Sequence, residues 1–162
     1  RIDTAGNIIG RRSGSDDNLP AIAIGSHTDT VPEGGKYDGA LGVMAAIEVI
    51  RTLEEQGHRT RHPLEVIDFT NEEGTRFHRW LVGSRSMSGL LEQEDLDAED
   101  DDGFGLGPCL ADIGGDISRI EEAVRKPGEL AAYFELHIEQ GPYLDRSGTP
   151  IGVVTGITPA KE

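Results

Sequence analysis

Four short segments of this sequence carry residue types that hold divalent cations. In the first, Gly25 to Val31, His27 stands two residues ahead of Asp29, a carboxylate that could accept the other imidazole N–H and fix the ring's tautomer. The second, Lys36 to Ala40, places Asp38 at a helix N-terminus. The third, Thr70 to Gly74, holds the adjacent Glu72 and Glu73. The fourth, Glu135 to Pro142, contains His137 and Gln140. Each has an ordinary alternative: a buried His–Asp pair, an N-cap aspartate, surface glutamates, a core histidine. Their joint occurrence, each beside glycine and at a strand end or helix start, points instead to one shared site. Imidazole and carboxylate donors without thiolate suit Zn²⁺, Mn²⁺ or Co²⁺. A carboxylate can bridge two ions roughly 3.5–4 Å apart, an arrangement that polarises a carbonyl and lowers the pKa of a water towards ~7. A second carboxylate that is not a ligand can then move the water's proton to a leaving nitrogen. Adjacent glutamates could divide these two roles.

These residues meet only if secondary structure brings them to one edge. Alternating or continuous apolar runs predict strands at Asn7 to Gly10, Pro20 to Ser26, Leu64 to Thr70, Tyr133 to Ile138 and Pro150 to Ile157. A helix is predicted from Asp38–Gly39 to about Gln56, stopped by Gly57, with Val43, Ile47 and Ile50 flanked by Ala46 and Leu53 as its buried stripe. Helical turns are expected within Arg76 to Leu91, irregular chain over Glu92 to Gly107, and a short helix over Ile117 to Lys126. Strands alternating with helices predict an α/β domain with a mostly parallel sheet. Ligands in such sheets gather at the carboxyl ends of the strands, where the four segments fall.

Composition bounds the partners. Thirty acidic against 15 basic residues give a net charge of -15, which repels a phosphate backbone and argues against nucleic acid. The acidic run Glu92 to Asp102 reads as a solvated loop or helix end. Cys109 is the only cysteine, so it reads as a lone packed thiol rather than half of an internal disulfide. No apolar run approaches the ~18 residues of a membrane span, and no signal peptide opens the chain. The expectation is a soluble cytoplasmic protein. Arg1-Ile2-Asp3 begins within a strand approach, so a longer natural chain is expected. His58 and His62 are expected at the surface, and His78 is a weaker candidate for the site.

The segments GSHTDTVPEGGKYDGALGV, TNEEGTRF, GSRSMSG and ELHIEQGPYL together resemble the M20 metallopeptidase family. Within it they are similar to the amidase/carbamoylase branch, which includes N-carbamoyl-L-amino-acid hydrolases, β-ureidopropionase and allantoate amidohydrolase. The resemblance implies a three-layer α/β/α zinc-peptidase-like catalytic domain, truncated here, with residues 1–162 forming part of it. It implies two divalent ions, with His27 and His137 on one, Glu73 on the other and Asp38 bridging both. Glu72 would be the general base, Asp29 would orient His27, and Gln140 would line the substrate pocket. The implied substrate is a small ureido or carbamoyl compound, and the implied assembly of the intact enzyme is a homodimer. The family's later histidine ligand, inserted dimerisation domain and N-terminal helical region have no counterpart in these residues. Two rival readings stay open: an M20 peptidase or N-acyl amino-acid deacylase, and a non-catalytic truncated homologue.

Overall fold

Apolar side chains at successive positions drive β2, Ala21–His27, and β3, Leu64–Phe69, into the middle of a four-stranded sheet. In the computed structural model, which describes residues 1–157, the strand order is β1-β3-β2-β4. β1 spans Ile8–Arg12 and runs antiparallel to β3, whereas β2 pairs in parallel with β3 and with β4, Leu130–Phe134. The predicted mostly parallel α/β sheet is therefore what forms. No helix among the described residues is long and apolar enough to cross a membrane.

Pleat alternation sends neighbouring residues of β3 to opposite faces. Val66 and Asp68 face helix α1, Ala40–Glu55, where they share a cavity of about 480 Å³ with Ile8, Val43, Ile47 and Ile50. Ile67 packs on the other face with Ile9, Ala23 and Met87, the last from helix α2, Val82–Met87. Helices thus cover both faces. A second apolar cluster, Phe77, Val82, Ala98, Leu106 and Leu110, ties α2 to helix α4, Leu106–Asp112, with Cys109 half-buried against it. Glu65, 2% exposed, binds Arg11 at 2.9 Å and Arg125 at 2.7 Å, joining β1, β3 and the chain leading into β4.

The α1 stop follows the predicted chemistry. Gly57 takes φ 63°, its N–H donates to the Glu54 carbonyl, and the His58 N–H donates to that of Leu53, a Schellman closure. The predicted stripe is only partly buried: Val43 and Ala46 are covered, but Ile47 remains 46% exposed. A Cβ added at Gly10 on β1 would meet no atom within 4 Å, so this face of the strand borders open space.

Several boundaries differ from expectation. β1 lies one or two residues later than predicted. β4 starts at Leu130 and ends at Phe134, because its last paired residue is Phe134, opposite Ile24; His137 therefore lies beyond the strand. Residues 150–157 form no strand, and Ile151, Val153 and Val154 are exposed. Apolar residues make a strand only when a neighbour completes their backbone hydrogen bonds, and β4 already holds that side of β2. The acidic stretch is not wholly irregular: Gln93–Leu96 is a one-turn helix, α3, whose Asp95 is buried against Arg85. The segment Ile117–Ala123 is a 3-10 helix rather than an α-helix reaching Lys126.

Candidate metal centre

His27 is the last residue of β2, and its side chain is almost fully buried. Its Nδ1 donates to the Asp29 carbonyl oxygen at 2.8 Å. The Asp29 carboxylate, expected to make that bond, stands 3.8 Å from the ring. Its two oxygens instead accept the backbone N–H groups of Glu72, at 3.1 Å, and Glu73, at 3.0 Å. The expected tautomer is nonetheless set, through main chain instead of side chain. His137 is oriented in the same way: Nδ1 donates to the Ile138 carbonyl at 2.9 Å. Both rings keep Nε2 as the free acceptor, the usual state of a ligating histidine. The rings lie nearly stacked, with centroids 5.8 Å apart.

Asp38 joins them from the approach to α1. It is not the N-cap; that position belongs to Gly39, whose φ of 61° turns the chain into the helix. A side chain at Gly39 would collide with the His27 ring, so the absent Cβ lets the helix start lie directly over the imidazole. Asp38 Oδ1 lies 3.1 Å from His137 Nε2 and is buried without a hydrogen bond. Asp38 Oδ2 accepts from Gln140 Nε2 at 3.1 Å, which places Gln140 on a carboxylate of the site. Donor atoms of His27, Asp38 and His137 lie within 4.8 Å of one another, and so do those of His27, Glu72 and Glu73. Glu72 Oε2 is 3.6 Å from His27 Nε2.

The electrostatics match a site built around cations. Burial raises the Glu72 carboxyl above the usual range, His27 opposes that, and the charges of Glu73 and Asp29 add to it. Burial and the neighbouring Asp38 do the same to Glu73. For His27, burial disfavours the charged ring, but the Asp29 carbonyl and the charges of Glu72, Asp29 and Glu73 outweigh it, so its pKa is raised. A divalent cation would relieve this crowding of negative charge. The donor set and the orphaned Asp38 oxygen fit such an ion.

The remaining histidines lie elsewhere. His78 is exposed and pairs with Asp101 at 3.0 Å. His58 is exposed as expected, but His62 is half-buried, with Nδ1 donating to the Pro20 carbonyl at 2.7 Å. Sequence reasoning gave no role to Ser26 or Tyr133, and none to Glu135. Their hydroxyls both donate to Glu135, at 2.8 Å each, stitching β2 to the chain leaving β4 just past their last backbone pair. The visible signal was Glu135 standing two residues before His137, with Ser26 next to His27.

Residues 23–159 match the family described as peptidase family M20/M25/M40. The chain is 48% identical over 155 residues to an N-carbamoyl-L-amino acid amidohydrolase of Geobacillus stearothermophilus, covering 96% of this chain and 38% of that protein. It is 43% identical to a ureidoglycolate hydrolase of Arabidopsis thaliana, covering 97% of this chain and 34% of the relative. A hydantoinase/carbamoylase family amidase from Burkholderia ambifaria superposes with a TM-score of 0.80 at 44% identity, over 91% of this chain and 35% of that one. The chain thus spans well under half the length of these relatives. With the family's pattern matched over most of its length and the same fold observed, the chain belongs to peptidase family M20/M25/M40.

Proposed function

We propose that this chain supplies most of the metal-binding and proton-transfer groups of a hydrolase that cleaves linear C–N bonds in ureido or carbamoyl compounds. The observation that carries the reading is the buried Asp38 Oδ1, which has no hydrogen bond and lies beside a histidine nitrogen kept free to accept. An oxygen so placed costs stability unless a cation meets it. In this reading His27, Asp38 and His137 hold one ion, while Asp38 and Glu73 reach towards a second, with Zn²⁺, Mn²⁺ or Co²⁺ as candidates. Such ions, when bound, polarise the substrate carbonyl and bring the pKa of a water towards ~7.

The chain's own residues would then act as follows. Glu72, raised in pKa by burial, takes the proton of the attacking water and passes it to the leaving nitrogen, so that ammonia departs from a carbamoyl carbon. Gln140 holds Asp38 from one side and lies where it could also meet substrate. The names of the similar proteins, an N-carbamoyl-L-amino acid amidohydrolase and a ureidoglycolate hydrolase among them, support the ureido and carbamoyl class. The longer protein is proposed to act as a homodimer, which light scattering would check.

Metal analysis of the full-length protein, with activity assayed before and after chelation, is the direct test. Full turnover by a metal-free sample would sink the proposal. Hydrolysis of dipeptides or N-acetyl amino acids, with none of N-carbamoyl amino acids, would move the assignment to the peptidase or deacylase reading.

A further inference from the structure

Glu72 and Glu73 are sequence neighbours, and in an extended strand their side chains would leave opposite faces. The turn after β3 prevents this. Asn71 adopts a left-handed backbone with φ 48°, a conformation that asparagine tolerates better than most residues. The carbonyls of Thr70, Asn71 and Glu72 accept the N–H groups of Gly83, Val82 and Leu81 at 2.9, 3.2 and 2.8 Å. The Asn71 side-chain amide donates to the Arg79 carbonyl at 2.9 Å. With its carbonyls occupied on that side, the turn presents the consecutive N–H groups of Glu72 and Glu73 together. Successive N–H groups beside a left-handed residue form a concavity that binds anions. Here the anion is the Asp29 carboxylate, with one oxygen on each N–H.

We propose that Asp29 is a positioning residue whose carboxylate is the built-in anion of this backbone nest. It sets where the Glu72 and Glu73 side chains stand relative to each other and to His27. Its own carbonyl, not its carboxylate, orients the His27 ring. One residue therefore couples the loop after β2 to the loop after β3, main chain to one and side chain to the other. The proposal rests on the roles given above to Glu72 and Glu73, but its structural half stands apart from them.

The test uses the full-length protein stripped of metal, so that exchange reads the nest and not the ion. Asp29→Asn keeps the shape but turns an NH₂ towards one of the two N–H groups. Hydrogen exchange at the Glu72 and Glu73 amides is expected to quicken at least tenfold, while the amides of Ile24 and Ile67 stay protected. In the metal-loaded protein kcat is expected to fall about 10–100-fold, the usual cost of losing an outer partner of a metal site, with KM changed less than about threefold. Asp29→Ala removes the carboxylate altogether, and formate, a free carboxylate of the right size, should restore slow exchange at these amides where chloride does not. Unchanged exchange in Asp29→Asn, or no formate effect in Asp29→Ala, overturns the proposal; if Asp29→Asn does not fold, the formate experiment decides. Full activity of Glu72→Gln would instead remove the functional reading while leaving the nest intact, so the two failures are distinguishable.

Discussion

Glu72 occupies a half-buried position 3.6 Å from His27 Nε2, yet its backbone N–H is spent on Asp29 and not on a ligand. Burial raises its carboxyl pKa and it is not needed to complete the His27–Asp38–His137 cluster, a combination it shares with Glu73, which the second ion would occupy in the proposed reading. Replacing Glu72 by Gln keeps size and hydrogen bonding but removes the proposed base. Glu72→Gln in the full-length protein should lower kcat by roughly 10²–10⁴, the ordinary worth of a positioned acid–base group. Its metal content should stay unchanged, as read by elemental analysis. A variant that lost metal along with activity would show Glu72 to be a ligand.

At the scale of elements, the site depends on how strands end and helices begin. Gly39 combines φ 61° with contact on the His27 ring, so Gly39→Ala meets backbone strain and a collision together. It should cost about 1–3 kcal/mol, as overpacking does, and weaken metal binding; a melting curve and a metal titration read both. Farther from the site, Asp95 pins α3. Its oxygens accept two bonds from Arg85, at 2.9 and 2.6 Å, and the Glu92 N–H donates to it at 2.8 Å. Burial opposes its ionisation, but the Arg85 and Glu92 bonds prevail and hold its pKa below the usual carboxylate value. A lowered folded pKa contributes stability above the unfolded value of about 3.9, and that stability is lost as pH falls through the folded value. Urea titrations from pH 6 down to pH 3 should therefore show wild type losing stability in the acid range, with Asp95→Asn less stable at pH 6 and flatter below pH 4. Parallel curves for the two proteins would refute this account of Asp95.

For the molecule as a whole, Glu65 is the charge that holds distant parts together. It lies under the sheet at 2% exposure and binds Arg11 from β1 and Arg125 from the chain before β4. Glu65→Gln leaves Arg125, largely buried, facing a neutral amide, while Arg11, 44% exposed, is met by water. Breaking a buried pair in this way costs about 3–5 kcal/mol, so the midpoint of denaturation should drop by a corresponding amount in the full-length protein. A shift within about 0.5 kcal/mol, the size of an ordinary surface substitution, would show the triad to be solvated in solution.

Much of this was legible along the chain. The strands at β2 and β3 and the helix between them follow from apolar runs bounded by Pro and Gly, because those patterns are local and each residue's neighbours in sequence suffice. The residue types of the site were legible too, since imidazole and carboxylate without thiolate carry their chemistry wherever they are placed. Pairing was not: β4 ends at Phe134 and residues 150–157 stay unpaired, because a strand exists only where another chain segment completes its backbone hydrogen bonds. The same limit hid the true partner of Asp29. Its spacing from His27 suggested a bond to that ring, whereas the amides that claim its carboxylate lie 43 and 44 residues away. Residue types and local patterns thus established which groups could do chemistry and roughly which elements carry them. Which donor meets which acceptor was settled in the folded chain, since those contacts join loops that the sheet, and not the spacing of residues, brings together.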